Sequence, residues 1–224
     1  AGGKGLRMGG DLPKQFIPMR GKPLLMHTLE AFHRWDASAR IILVLPEDHQ
    51  PYWNMLCKEI GCKVPHAIVK GGDTRFFSVK NGLDWLLAER RRKGEEDSGL
   101  SLVAVHDGVR PFVSPEVVEA CFDKAAVTGA VIPVVPMIDS LRETDEKGSH
   151  PVDRSRYMAV QTPQVFHLEL LTKAYEQPYS SLFTDDASVV EAMGHAIDTV
   201  PGDRENIKIT TPFDLLIAEA MFAR

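Results

Sequence analysis

The strongest constraint on the fold is the regular alternation of two patterns along the 224 residues. Short apolar runs, 41–45 (Ile-Ile-Leu-Val-Leu) and 102–106 (Leu-Val-Ala-Val-His) foremost, lack the polar alternation of a half-exposed strand. They read as strands buried on both faces. Further short strands are expected at 66–69, 130–135, around Val160, at 196–200 and at 207–209. Between them the spacing predicts helices over 23–35, 49–60, 75–92, 114–128, 167–175, 185–193 and 211–222. Ser114 and Pro115 supply a cap and a first-turn proline for the fourth helix, and Gly61 stops the second. Strands alternating with helices imply α/β architecture: a mostly parallel central sheet with helices on both faces. In such sheets functional sites gather at the carboxyl ends of the strands. One domain spanning 1–224 accommodates every element.

Composition removes several function classes. A net charge of −5 argues against a general nucleic-acid binder. The basic run Arg90-Arg91-Arg92-Lys93 is followed at once by Glu95-Glu96-Asp97, which reads as a self-neutralising loop. No apolar run approaches the roughly 18 residues of a membrane span, so no membrane partner is expected. Three cysteines, Cys57, Cys62 and Cys121, lack Cys-x-x-Cys spacing and read as reduced thiols in a cytoplasmic protein.

The first fifteen residues are the densest in backbone chemistry. Ala1 and glycines 2, 3, 5, 9 and 10 let N–H groups close on an anion, and Arg7 and Lys14 add positive charge nearby. A dinucleotide-binding turn would need glycine where Met8 stands. A P-loop would need glycine at Phe16 and Ser or Thr at Pro23. The pattern resembles the glycine-rich signature loop of nucleotidyltransferases. No hydrophobic strand precedes it, so most of a first strand is expected to be missing ahead of Ala1.

Further polar clusters fall where strands end. His106-Asp107-Gly108-Val109-Arg110 leaves the 102–106 strand, where Asp107 is either a turn residue or a ligand for a hard cation such as Mg²⁺. In Gly71-Gly72-Asp73-Thr74-Arg75 with Ser78, Asp73 is either the cap of the next helix or, with Ser78, a reader of a flat base admitted by the glycines. Thr162-Pro163 is an extended turn pointing a hydroxyl at a partner, and Thr184 reads foremost as a helix cap. Lys208, inside the short apolar run 207–209, needs a counter-charge, which a triphosphate would supply.

Taken in order, these motifs resemble the 2-C-methyl-D-erythritol 4-phosphate cytidylyltransferase family over essentially the whole chain. The resemblance rests on the glycine-rich loop with Arg7-Met8, Pro13-Lys14-Gln15, Gly71-Gly72-Asp73-x-Arg75-x-x-Ser78 and His106-Asp107-x-x-Arg110-Pro111. Val152-Asp153-Arg154, Gln161-Thr162-Pro163-Gln164, Thr184-Asp185 and Asn206-Ile207-Lys208-x-Thr210 complete it. It implies a Rossmann-like nucleotidyltransferase fold and a homodimer joined by an extended β-arm over 137–157. CTP and a sugar-alcohol phosphate would be the substrates, with Mg²⁺ as cofactor and pyrophosphate released. It further implies that Lys14, Lys208 and Arg7 neutralise the triphosphate and that Asp107 serves the Mg²⁺. Ala1, Gly2, Gly3, Gly5, Gly72, Asp73, Arg75, Ser78 and Gly108 would complete the nucleotide contacts. Arg110, Thr162 and Thr184, with Ser140 and Arg154 from the arm, would face the acceptor. Glycine at position 2 and Gly108-Val109 stand where many members carry alanines. A sister family, the ribitol-5-phosphate cytidylyltransferases, shares most of the motifs and is the alternative.

Overall fold

The computed structural model describes residues 12–95 and 99–223. Its largest sheet has the strand order β11 (Asp198–Pro201), β6 (Ala130–Pro136), β10 (Gln164–His167), β5 (Leu102–Val105), and β9 (Met158–Val160) pairs with β6 as well. β11 is parallel to β6, whereas β10 lies antiparallel between β6 and β5. β5, β6 and β11 therefore point one way. A separate parallel pair, β3 (Ile42–Leu45) with β4 (Ala67–Lys70), continues the α/β pattern. Small antiparallel pairs form from β1 (Pro18–Met19) with β2 (Lys22–Pro23) and from β7 (Arg142–Asp145) with β8 (Gly148–Pro151).

The helices are α1 (Leu24–Trp35), α2 (Gln50–Ile60), α3 (Arg75–Lys93), α4 (Pro115–Thr128), α5 (Leu168–Ala174), α6 (Asp186–Glu191) and α7 (Pro212–Phe222). Side chains of one strand alternate between the two faces of a sheet, and the packing shows it. Ala130 and Phe166 pack with Phe76, Leu83, Leu171 and Val189 of α3, α5 and α6. Their neighbours Val131 and Val165 face the opposite way, against Val117, Cys121 and Ala125 of α4. Both faces are thus covered, which explains runs without polar alternation. Around β3, Phe16, Leu25, Met26, Leu29 and Trp53 form a further core with α1 and α2. Ser114 caps α4 by accepting from the Val117 N–H, with Pro115 inside the first turn. Gly61 ends α2 in the left-handed conformation, at φ 74°.

Two expectations are corrected. Residues 207–209 form no strand; the segment is held instead by the Ile209 N–H donating to the Val109 carbonyl at 3.0 Å. Residues 164–167, for which the patterns give no strand and whose last residue is expected to open a helix, form β10, the central antiparallel strand. Four residues flush against α5 give no periodicity of their own, so only the pairing on both sides defines them. β6 explains the shape of the corner before β10. Its Val131 end pairs with β10, its Val134–Pro136 end with β9, and the Gln161 N–H donates to the Pro133 carbonyl between them at 2.9 Å. The chain leaves β6 at Gln161, turns through a cis Thr162–Pro163 bond and resumes one strand nearer β5. That detour brings Thr162 to the carboxyl end of β5.

Phe166, wholly buried between α3 and α5, is the sharpest packing test. Phe166→Ala is expected to destabilise by about 3–5 kcal/mol, whereas Val160→Ala, on the exposed strand β9, should cost under about 1 kcal/mol. Urea unfolding midpoints check both, and equal shifts would contradict this core.

Candidate active site

The site is built on the loop leaving β5. The Arg110 N–H closes a turn on the Asp107 carbonyl at 3.0 Å, and Thr28 of α1 donates its hydroxyl to the Gly108 carbonyl at 3.1 Å. This fixes the Asp107 side chain, 19% exposed, where two cations meet it. Lys208 Nζ lies 3.0 Å and Arg110 Nε 3.3 Å from the same oxygen, Oδ2. Burial alone would push the Asp107 pKa up. Lys208, then Arg110 and Arg75, outweigh it and hold the carboxyl well below the usual range. Asp107 is therefore an anion throughout the physiological range.

The Thr162 corner locks the backbone of this loop. Thr162 Oγ1 accepts from the Asp107 N–H at 3.1 Å and lies 3.0 Å from His106 Nδ1. His106 Nε2 must donate to the Arg110 carbonyl, 3.0 Å away, which leaves Nδ1 as the acceptor of the threonine proton. Burial pushes the His106 pKa down to about 4, so the ring is neutral and keeps that tautomer. The partner of the Thr162 hydroxyl is thus inside the loop, and the residue is buried.

The base-side cluster is likewise tied inward. Ser78 Oγ accepts from the Gly72 N–H at 3.1 Å and donates to the Thr74 carbonyl at 2.9 Å. Thr74, not Asp73, caps α3, and Asp73 is left exposed at the strand end. A Cβ on Gly72 would stand 2.4 Å from Phe77 Cβ, so the first turn of α3 already requires glycine there. Arg75 makes a two-point pair with buried Asp186, at 2.8 and 2.5 Å, and Tyr175 donates to the same carboxylate at 2.6 Å. Gln164 Oε1 accepts from the Asp186 and Ala187 N–H groups at 3.0 Å each. Asp185, not Thr184, caps α6 through a capping box with Ser188, and Thr184 is exposed beside it.

Lys14 sits on the 3-10 turn Lys14–Phe16, anchored by buried Gln15 and Phe16. Ser140 and Arg154 lie exposed at the base of the β7–β8 hairpin, where the Arg154 guanidinium donates to the Ile138 carbonyl. Ala1, Gly2, Gly3, Gly5 and Arg7 lie outside the described residues. The structure thus brings Asp107, Gly108, Arg110, Thr162 and Lys208 into one cluster and ties Arg75 to the Thr184 loop. Sequence reasoning gave no role to the residues that do the tying, His106, Gln164, Asp186 and Asn206. His106, Gln164 and Asn206 stand inside the quoted motifs, and Asp186 shows only polarity beside Asp185.

Over residues 1–224 the chain matches the family model described as 2-C-methyl-D-erythritol 4-phosphate cytidylyltransferase. The chain belongs to that family. It is 56% identical over 221 residues to the 2-C-methyl-D-erythritol 4-phosphate cytidylyltransferase of Bacteroides fragilis, covering 99% of this chain and 96% of that protein. The crystal structure of the same-named enzyme from Thermus thermophilus is similar at TM-score 0.72 and 32% identity, over 97% of this chain and 96% of that one. A structure of 4-diphosphocytidyl-2C-methyl-D-erythritol synthase is similar at TM-score 0.77 and 28% identity, over 94% and 95%. The membership makes the chain a cytidylyltransferase.

The neutral His106 has a measurable consequence. Its folded pKa of about 4 lies below the ordinary 6.5, so between those values the unfolded chain binds the extra proton. Stability is then fully present above pH 6.5 and falls as pH drops toward 4, by up to roughly 1.4 kcal/mol per pH unit. Asp107, with its depressed pKa, adds a loss at lower pH still. Urea unfolding at stepped pH in EDTA should show a shallower slope between pH 6.5 and 4 for His106→Asn. An unchanged slope would mean that His106 is protonated in the fold.

Proposed function

We propose that this cytidylyltransferase transfers CMP from CTP to 2-C-methyl-D-erythritol 4-phosphate, releasing pyrophosphate, in non-mevalonate isoprenoid precursor synthesis. The observation that carries the reading is the Lys208–Asp107–Arg110 cluster at the carboxyl end of β5, in a chain matching that family from end to end. An acceptor phosphate oxygen attacks the α-phosphorus of CTP in line, with pyrophosphate leaving opposite. Negative charge crowds that transition state, so catalysis is chiefly placement and neutralisation. Lys14, Lys208 and Arg7 supply the neutralising charge. Lys208 is 44% exposed even while paired, so its ammonium can reach phosphate oxygens without first leaving the protein interior.

The residues fit Mg²⁺ as a cofactor. Among the described residues no three His, Cys, Asp or Glu side chains cluster. Mg²⁺ needs no such cage, because it keeps most of its waters and takes one or two carboxylates beside substrate phosphates. Both cations contact Asp107 Oδ2, so Asp107 would hold the ion through its other oxygen. When bound, Mg²⁺ offsets charge on the phosphate oxygens. Asp73, with the Gly72 and Ser78 turn, reads the cytosine edge. Arg110 and Thr184 serve the acceptor phosphate, with Ser140 and Arg154 from the arm. Thr162 serves it indirectly by holding the Asp107 backbone. The hairpin buries none of its own strand residues, which suits it to lean on a second subunit of a homodimer. Three thiols without a disulfide suit a cytoplasmic setting.

Pyrophosphate release with CTP and Mg²⁺ is the direct test, offering methylerythritol phosphate and ribitol 5-phosphate separately. Activity is expected with the first. Preference for the second would replace the acceptor assignment. In the same assay Lys208→Ala should lower kcat on the order of 10²-fold. A raised KM for CTP at unchanged kcat would reduce Lys208 to a binding residue.

Sharing of the arm between subunits is tested by mixing. Arg154→Ala and Lys208→Ala homodimers, each nearly inactive, are combined under conditions that exchange subunits. If Arg154 completes the partner's site, each heterodimer regains one intact site and activity returns. A mixture that stays inactive places Arg154 in the site of its own chain.

A further inference from the structure

We propose that Asn206 is a positioning residue of this site: its buried amide and carbonyl fix the segment carrying Lys208 against the Asp107 loop and the Thr162 corner. The proposal rests on the cytidylyl-transfer reading above. Asn206 is 0% exposed and stands two residues before Lys208. Its Nδ2 donates to the Thr162 carbonyl at 2.8 Å. Its own carbonyl accepts from Arg110 Nη1 at 2.7 Å. One residue therefore joins three stretches of chain, the Lys208 segment, the Thr162 corner and the Asp107–Arg110 turn. Gln161 closes the arrangement from outside, its Nε2 donating to the Asp203 carbonyl at 2.7 Å and its Oε1 accepting from the Asp203 N–H at 3.2 Å.

Magnitudes decide what places Lys208. The lysine end of its ion pair with Asp107 is 44% exposed, and a pair open to water at one end contributes about 1 kcal/mol. A flexible four-carbon stem cannot be located by so weak a contact. The backbone on either side of Lys208 must be held instead, and it is. Ile209, wholly buried, packs with Met19, Leu24 and Ala218 and donates its N–H to Val109, while Asn206 anchors the other side. Lys208 rides between a polar anchor and an apolar one, with its side chain turned out.

The anchor is polar at a cost. Among the described residues Asn206 Oδ1 is buried and finds no donor. A buried acceptor left unpaired costs about 1–3 kcal/mol, where an apolar side chain of similar shape would cost nothing of the kind. A residue selected for stability alone gains little from that orientation. What the orientation secures is the donation to Thr162, hence the register between the lysine segment and the turn that holds Asp107.

A double-mutant cycle separates positioning from mere support. In the wild-type background Asn206→Ala is expected to lower kcat about 10-fold or more, with KM for CTP within about 3-fold, because Lys208 loses its placement in the transition state. In a Lys208→Ala background the same substitution should cost less than about 3-fold, since the group it places is gone. The loss in Tm should be equal in both backgrounds. Equal kinetic losses in both backgrounds, or an unchanged kcat in folded Asn206→Ala, overturn the proposal. Should Asn206→Ala not fold, Asn206→Ser is read by the same criteria.

A readout without turnover keeps the proposal apart from the reading beneath it. Acylation of lysines by an N-hydroxysuccinimide ester, followed by mass spectrometry without nucleotide, should label Lys208 at least about 3-fold faster in the variant. Exposed Lys58 and Lys63 should label at the wild-type rate. An unchanged Lys208 rate sinks the positioning role even if the enzyme is active. A wild type that releases no pyrophosphate sinks the cytidylyl-transfer reading, while the labelling still decides the placement of Lys208.

Discussion

A single carboxylate, Asp107, organises the carboxyl end of the sheet. Burial by itself would drive it toward its neutral form, and its two cations by themselves would repel each other. Together the two cations keep the carboxylate charged. Ion pairs of this kind contribute little net stability once desolvation is counted, so their importance lies in geometry. Arg110 gives one nitrogen to Asp107 and another to the Asn206 carbonyl, and Lys208 reaches the same carboxylate from the far side. The Lys208 ammonium is thereby referenced to the Asp107 turn.

The sheet supplies the platform on which that charge can be fixed. β6 is long enough to pair with two successive strands, and the break between them is where Thr162 sits. A neutral imidazole then sets the direction of the Thr162 proton, and the hydroxyl sets the Asp107 backbone. No charged group is used for these steps. Across the same end, the Arg75–Asp186 pair ties the base-side turn to the Thr184 loop over a separation of 111 residues.

What the sequence displays is the local part of this arrangement. α1 to α4 and α7 follow from apolar spacing, proline at first turns and glycine at ends, because those signals act within a few residues. The α/β class follows from buried runs such as 41–45. Two caps are displaced by one residue, Thr74 for Asp73 and Asp185 for Thr184. In each case adjacent side chains could both accept from the first turn, and only the backbone entering the helix decides. β10 and the 207–209 segment are set by partners far along the chain. The same holds for the site. Asp107, Arg110 and Lys208 are recognisable by residue type and order. That Thr162 faces inward, that Gly72 makes room for Phe77, and that Arg75 is held by Asp186 are consequences of packing between distant segments, which no local pattern records.

The separations within the cluster bear on how the protein comes into being. Thr162 lies 55 residues beyond Asp107, and Asn206 lies 96 residues beyond Arg110. A ribosome delivers these segments in that order, and domains consolidate only as their late partners emerge. While the 206–209 stretch is still in the exit tunnel, the Asp107 turn has neither its lysine nor the carbonyl that steadies Arg110. Until then the Asp107 turn stands without its Lys208 counter-charge, and the three-segment cluster closes only when the 206–209 stretch docks.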